Sequence, residues 1–394
     1  MSSSNFVRIA FIPETVYGET PGAGNFKQSR VTSDSMSGTP ETTVSQQIRT
    51  DRLSSGQVVT GLTVGGDLNG ELAKEDAVDD YIESAMFDTF SSNAPVAVDL
   101  TIASVAQTLD RVSGDFTVDT SVGDVLILTG FANSENNVKV MVAEVVSPTQ
   151  VRYIGPSGML DEVGSGTSYE IADSVEVGTT KKSFSIEKAF LDLTDKALIY
   201  KGMIANTMNI NVNYGEIVSY TFGFVGNDYE NADQASEFIT DGRTIDAPAT
   251  TNSMNGSIDM SFIGLGSTGT FDSSSFCIQS VTIGLNNNLN PQTCIGRTAP
   301  QDYSEGTAQI EVSISAYLAD ENWDLLTRKL TQESFELGFI IENVDGFYAF
   351  FMPAVQVSFE DPAIAGINQD IILTMSGTAK VGSNNEKSLK VSRG

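Results

Sequence analysis

The sequence predicts a mainly β protein: two tandem β-barrel or sandwich domains, each with one flanking α-helix, and a small all-β domain inserted into the first. Three observations carry that prediction. Val, Ile, Thr and Phe recur in short runs between clusters of Gly, Asn, Asp and Ser, the texture of strands and turns. Segments from the beginning of the chain recur in its second half at a nearly constant offset. The order strand, helix, strand, strand, strand occurs twice, the first time with an interruption. A chain of 394 residues exceeds what one core usually serves, and 40% hydrophobic against 19% charged residues suits a folded chain.

The repeat sets the frame for each element. Residues 25–32 (NFKQSRVT) lie beside residues 275–282 (SFCIQSVT), pairing Phe26 with Phe276, Val31 with Val281 and Thr32 with Thr282. The same offset pairs Thr43 with Thr293, Ser54 with Ser304 and Gly56 with Gly306, and sets Leu62 and Val64 on Val312 and Ile314. Upstream, VRIAFI at 7–12 lies over IDMSFI at 258–263. An alternating strand at 62–72 runs into an amphipathic helix at 75–86, with Ala77, Val78, Tyr81, Ile82, Ala85 and Met86 at helical spacing. In the second half the strand is 308–318 and the helix 321–330, with Trp323, Leu325, Leu326 and Leu330 as its core face. An acidic start and the Arg328–Lys329 end of that helix complement the macrodipole.

After the second helix a strand begins at once with Ser334-Phe335-Glu336-Leu337. Its counterpart, Ser183-Phe184-Ser185-Ile186, comes only after residues 91–180. Both copies continue with an aromatic strand (197–203; 347–352) and a closing strand (217–225; 371–381). Residues 91–180 are therefore an insertion, with strands expected at 115–118, 124–129, 139–146, 150–153 and 169–171. Loops tolerate such inserted domains, so decoration is the plain role; carbohydrate binding is the alternative, and no motif supports it. The predicted boundaries are 1–90 and 181–228 for the first domain, 91–180 for the insert, 229–255 for a linker, 256–383 for the second domain and 384–394 for a flexible tail.

The charge excludes several classes. With 51 acidic against 22 basic residues, a net −29 and a pI near 4.1, the chain is poorly suited to grip nucleic acid or an anionic membrane. Acidity keeps a free subunit soluble; it also repels any polyanion that must pass without sticking. MSSSNFVRIAFIP lacks the layout of a secretory signal. The most apolar stretch, 347–355, is far short of the roughly 20 residues that cross a bilayer. Cys277 and Cys294 form no CxxC and are expected as two buried thiols, in a protein that folds in a cytoplasm.

Catalytic chemistry finds no support. The chain has no histidine, no GxxxxGK[ST] and no GxGxxG opening a helix. Glu75, Asp76, Asp79 and Asp80 open the first helix, where acids favour the positive dipole end over a metal or acid–base role. The acidic turn NDYENAD at 227–233 lacks the Gly and terminal Glu of a calcium loop and reads as a solvated linker. No catalytic residue, cofactor or metal is called for.

Open sheets must pair, cover or charge their edges. Six such domains in a ring would pair them all. With two per chain, three chains close that ring by cyclic symmetry, and stacked rings make a tube. An exported adhesin of tandem β domains and a carbohydrate-active enzyme with paired carboxylates are the other classes. The missing signal and the missing acid pair weigh against them.

Residues 39–72 (TPETTVSQQIRTDRLSSGQVVTGLTVGGDLNGEL) with the acidic helix after them resemble the N-terminal part of tail tube proteins of long-tailed bacteriophages. The matching positions are Pro40-Glu41-Thr42, Ser45, Ile48-Arg49, Asp51-Arg52, Val64, Gly66-Asp67, Glu71-Leu72, Asp79-Asp80, Glu83 and Ala85. Residues 114–137 are similar to a small β domain that interrupts some members. The resemblance implies tail-tube-type domains forming stacked rings around a channel for the genome, in the virion tail, after synthesis and assembly in the host cytoplasm. It implies as partners the chain itself, tape-measure and tail-tip or terminator proteins, and double-stranded DNA passing without specific binding; the chain itself inserts into no membrane. The loop at 39–57 would reach neighbouring subunits or the next ring through Pro40, Glu41, Arg49, Asp51 and Arg52, with Arg297 in its second-half counterpart. Asp67, Asn69 and Glu71 are the candidates to face the channel.

Overall fold

The computed structural model describes every residue except 1–2, 49, 52, 54–55, 195, 233–243, 249, 268–276, 321–322, 324–332, 360, 365 and 383–385. The chain is mainly β, as its composition implies, and one pairing scheme occurs in it twice.

In the first ladder, Ser37–Val44 pairs with Gln57–Glu71, then come Ser219–Gly226 and the far half of the long strand Ala197–Asn213. In the second, Ile278–Asn286 pairs with Gln309–Tyr317, then come Ile372–Ala379 and the end of the long strand Gly346–Phe359. Each long strand begins in an outer layer and ends in an inner one. The outer neighbours are Ser183–Phe190 and Val7–Pro13 in the first ladder, Ser334–Asn343 and Met260–Ser267 in the second. The correspondence holds residue by residue. Phe184 faces Met203 and Ile186 faces Tyr200 around a bulge, as Phe335 faces Val355 and Leu337 faces Met352 around another. A bulge bends and twists its strand, which lets one strand serve two layers. Near the bend of the first, Gly202 has φ +66, and a Cβ there would meet Asn227 Oδ1 at 2.7 Å; glycine alone takes that conformation at little cost.

The two ladders share one sheet. Residues 207–213 of the first long strand run antiparallel against residues 280–286 of the second ladder. Beneath this inner layer lies one continuous apolar core, from Phe11, Leu68 and Phe222 to Ile314, Phe339 and Met375. The helix Asp76–Met86 is packed into it through Val78, Tyr81, Ile82, Ala85 and Met86, all fully buried. Tyr81 meets the rings of Phe11, Phe184, Phe222 and Phe224, with centroids 4.8 to 5.8 Å away. The helix stops at Phe87, which is left-handed at φ 54. Its last carbonyls are taken up by the returning chain, Gly178 N–H to Met86 O at 2.8 Å and Thr180 N–H to Phe87 O at 2.7 Å.

Residues 96–171 form a separate 8-stranded sheet with its own core around Leu100, Phe116, Leu128, Val142 and Tyr169. This insertion is docked against the second ladder. Its Val125, Met141, Ala143 and Ile154 pack against Phe262, Ile340, Phe347 and Phe351 of the second ladder's outer layer. Lys139 pairs there with Glu342, and Lys390 with Asp124.

Several expectations need correction. Residues 115–118 are not a strand: Phe116–Asp119 is a short helix, because Asp115 caps it by accepting from Thr117 N–H at 2.8 Å. The acidic turn at 227–233 is no solvated linker, since Asp228–Ala232 is a strand on residues 197–201. The tail expected to be flexible at 384–394 holds the buried strand Lys390–Arg393, inserted between residues 348–351 and Asp173–Glu176; Leu389 and Val391 supply its apolar anchors. Cys277 and Cys294 are free but exposed rather than buried. Trp323 is 58% exposed, so it is not core within the single chain, and its predicted helix partners at 324–330 lie outside the described residues. The ladders also shift the repeat alignment. Leu68, not Val64, stands at the place of Ile314, since Leu68 faces Asp34 and Ile314 faces Val281. A slip by an even number of residues keeps the apolar face, which is why the alternation matched.

Candidate functional site

The inner layer has two unlike faces. Along Ala197–Asn213, Met208, Ile210 and Val212 point into the core while Thr207, Asn209, Asn211 and Asn213 point out, half-buried. Period-2 alternation repeats this on the neighbouring strands, giving Thr221, Thr282, Asn286, Ser313, Ser376 and Ser358 on the same face. The result is one broad polar surface crossing both ladders.

The three residues expected to face a channel, Asp67, Asn69 and Glu71, stand on this polar face, opposite buried Leu68 and Gly70. Asn69 is held on both sides: its Oδ1 accepts from Thr221 Oγ1 at 2.7 Å and its Nδ2 donates to Ser33 Oγ at 3.1 Å. Glu71 Oε2 accepts from Ser253 Oγ at 2.5 Å. Asp67, Glu71 and Glu311 supply charge, and among the described residues no Lys or Arg stands on this face of these strands. The charges these strands put on the face are carboxylates, with short hydroxyl and amide groups between them.

Two hairpin arms extend from the inner layer. The first is the projecting part of Ser37–Val44 and Gln57–Glu71, where Pro40, Glu41, Val44, Val58 and Val59 are exposed. The second pairs Asn290–Gln292 with Asp302–Ser304. It folds back on the first: Leu62 N–H donates to Thr298 O at 2.7 Å, and Tyr303 O–H donates to Gly226 O at 3.0 Å. Burial raises the Tyr303 phenol pKa, so it stays a donor. Lys181 Nζ closes the root on Asp302 Oδ1 at 2.9 Å and Tyr303 O at 2.6 Å.

The predicted loop residues separate on these arms. Glu41 and Arg297 line one groove between the arms, with Gly61, Thr63 and Cys294; Glu41 Oε1 accepts from Thr63 Oγ1 at 2.7 Å. Pro40 lies beside Glu41 on the exposed strand. Asp51 is at the exposed tip, capping Leu53 N–H at 3.2 Å. Arg49 and Arg52 lie outside the described residues.

Sequence reasoning missed most of the polar face. The alternation TMNINVN at 207–213 was visible, but which side meets the core depends on the opposing layer. It anticipated open edges but not which strands form them, because an edge is defined by a strand that is absent.

A family model described as phage tail tube protein matches residues 4–379, nearly the whole chain. No curated protein matches it.

Proposed function

The chain belongs to the phage tail tube protein family, and from that premise we propose that three copies close a ring of six ladders, and that rings stack into a tube around a genome channel. Membership makes it a structural, non-enzymatic subunit of the virion tail that assembles with itself into a tube. The finer reading rests on one observation: a single chain already carries the pairing scheme twice, joined edge to edge in one sheet. Repeating that join twice more closes the sheet.

In this reading the two ladders are the two tube domains, spanning 1–90 with 181–228 and 256–383, and residues 91–180 are the insert. The polar face lines the channel. Proteins hold DNA where Lys and Arg neutralise its phosphates and displace the condensed counterions into solution, so a wall of carboxylates and small polar groups gives it nothing to hold. Tape-measure and tail-tip or terminator proteins would meet the channel and the tube ends. The arms carrying Pro40, Glu41, Arg49, Asp51, Arg52 and Arg297 would reach neighbouring subunits or the next ring. Synthesis and assembly take place in the host cytoplasm.

Electron microscopy of the purified protein tests this, with end-on class averages and ring mass. Rings of three chains with six similar lobes are expected. Rings of six chains would keep the tube and overturn the pseudo-sixfold arrangement; extended monomers at high concentration would overturn assembly by this route.

A further inference from the structure

The join inside the chain has a defined geometry. Asn287 N–H donates to Asn206 O at 2.8 Å, so Asn206, Met208 and Ile210 turn their peptide groups into the seam from one side, and Asn287, Leu285 and Ile283 from the other. Thr207 and Asn286 face each other as a non-hydrogen-bonded pair.

The repeat places a second copy of each half of this seam at the opposite ends of the sheet. Thr207 faces Gly223 as Ser358 faces Ser376, so the end of Gly346–Phe359 takes the part of residues 207–213. Leu285 faces Ile310 as Gly38 faces Val64, so Ser37–Val44 takes the part of Ile278–Asn286. Both are edges. Lys380 N–H donates to Ala354 O at 2.8 Å, which turns Val357 and Phe359 away from their paired neighbour and out to the open side. Ser35 N–H donates to Asp67 O at 2.9 Å, which turns Gly38 and Pro40 outward in the same way. Among the described residues no strand pairs with either edge.

We propose that the edge at Val357, Ser358 and Phe359 of one chain pairs antiparallel with residues 37–40 of the next, in the register of the internal seam: Ser358 opposite Thr39, Phe359 opposite Gly38. This rests on the ring reading above and adds which strands meet, and how. The partner is a second copy of this chain.

The edge chemistry favours this register. Pro40 has no N–H to offer, and its gap falls on the open side, where it leaves the ladder to Gln57–Glu71 intact. Met36 is already satisfied within the chain, its N–H on Asp34 Oδ1 at 3.3 Å and its C=O accepting from Tyr200 O–H at 3.0 Å. Gly38 lies between them with both groups turned to the open side. In the proposed register Phe359 makes a full rung on Gly38 and Val357 can still donate to the Pro40 carbonyl; a slip by two toward Met36 keeps only the rung of Val357 on Gly38, and a slip the other way sets Phe359 against Pro40.

Disulfide trapping in the full chain tests this, with Cys277 and Cys294 replaced by Ser. A non-hydrogen-bonded antiparallel pair brings Cα atoms to about 4.5 Å, within disulfide range. Thr39→Cys with Ser358→Cys is expected to give linked dimers and trimers on a non-reducing gel, ending at three. The slipped pairs, Ser37→Cys or Glu41→Cys with Ser358→Cys, are expected to stay largely monomeric. Cross-linking of a slipped pair instead would overturn the register. Intact rings in the microscope with none of the pairs linked would overturn the edge pairing and leave the ring reading standing. Absence of rings from the parent protein would overturn both.

Discussion

The Tyr348 O–H donates to Asp79 Oδ1 at 2.8 Å, tying a strand of the second ladder to the helix of the first. Asp79 also pairs with Lys74 at 2.7 Å and Arg393 at 2.6 Å, so one carboxylate joins the helix, the second ladder and the C-terminal strand. Burial pushes the Tyr348 phenol far above its ordinary pKa, which keeps its proton in this bond.

The two partners should differ in cost. Tyr348→Phe removes one donor and leaves Asp79 its two cations, so a loss of about 1–2 kcal/mol is expected. Asp79→Ala leaves two half-buried cations and a buried phenol without their acceptor, and removing the buried member of such an ionic cluster costs up to about 3–5 kcal/mol. Chemical denaturation of the unassembled chain reads both. Equal losses would mean that the carboxylate does not organise the cluster.

Glu75, just before that helix, gives a signed pH dependence. It is 5% exposed, both carboxylate oxygens lack a hydrogen-bond partner, and it makes no cap. Burial raises its pKa to about 7; the Arg30 guanidinium opposes the shift, while Asp79 and Asp76 add to it. Tyr81, Tyr220 and Tyr348 complete its surroundings. A raised acid holds its proton in the folded state after the unfolded chain has released it. Its contribution is therefore fully present below pH ~4.5 and lost as pH rises to about 7. Glu75→Gln should melt a few degrees above the parent at pH 8 and together with it near pH 4.5. A constant difference across that range would place the effect elsewhere.

The sequence showed what local pattern carries. The strand at 62–72 and the helix at 75–86 are observed as Gln57–Glu71 and Asp76–Met86, because alternation and helical spacing are set by residues adjacent in the chain. The match of Ser183-Phe184-Ser185-Ile186 to Ser334-Phe335-Glu336-Leu337 agrees with the ladders residue for residue, bulge included. What stayed hidden is non-local. Nothing near Lys390 announces that Asp124 and Glu176 will neutralise it, so a basic terminus looked solvated. Nothing in the insertion shows where it docks. Asp67, Asn69 and Glu71 could be put on one face by period, but that this face is polar throughout depends on strands remote in sequence.

The insertion should be needed for an intact second ladder. Gly123 has φ +84, and a Cβ there would come within 2.1 Å of the Phe351 ring. Gly123→Val sets both a strained backbone and a collision at that contact. It is expected to undock residues 96–171, whose own core stays closed, and to expose Phe262, Phe347 and Phe351. Increased binding of a hydrophobic dye with unchanged far-ultraviolet dichroism would show this. Parental dye binding would mean that the contact is not required.

Charge reversal on the polar face tests the channel without dismantling the sheet. Asp67 and Glu311 point away from the core, and no salt bridge involves either among the described residues. Asp67→Lys with Glu311→Lys should therefore leave rings and tubes intact by microscopy. Each ring of three chains would then present six lysines where six carboxylates stood, and every phosphate they neutralise releases counterion. Genome release from such virions should slow, and it should slow most at low salt, because log affinity for phosphate falls linearly with log salt. Normal tubes with unchanged ejection kinetics at low salt would show that DNA does not pass this face. Slowed ejection that is insensitive to salt would point to an altered channel width, and would equally remove the electrostatic account.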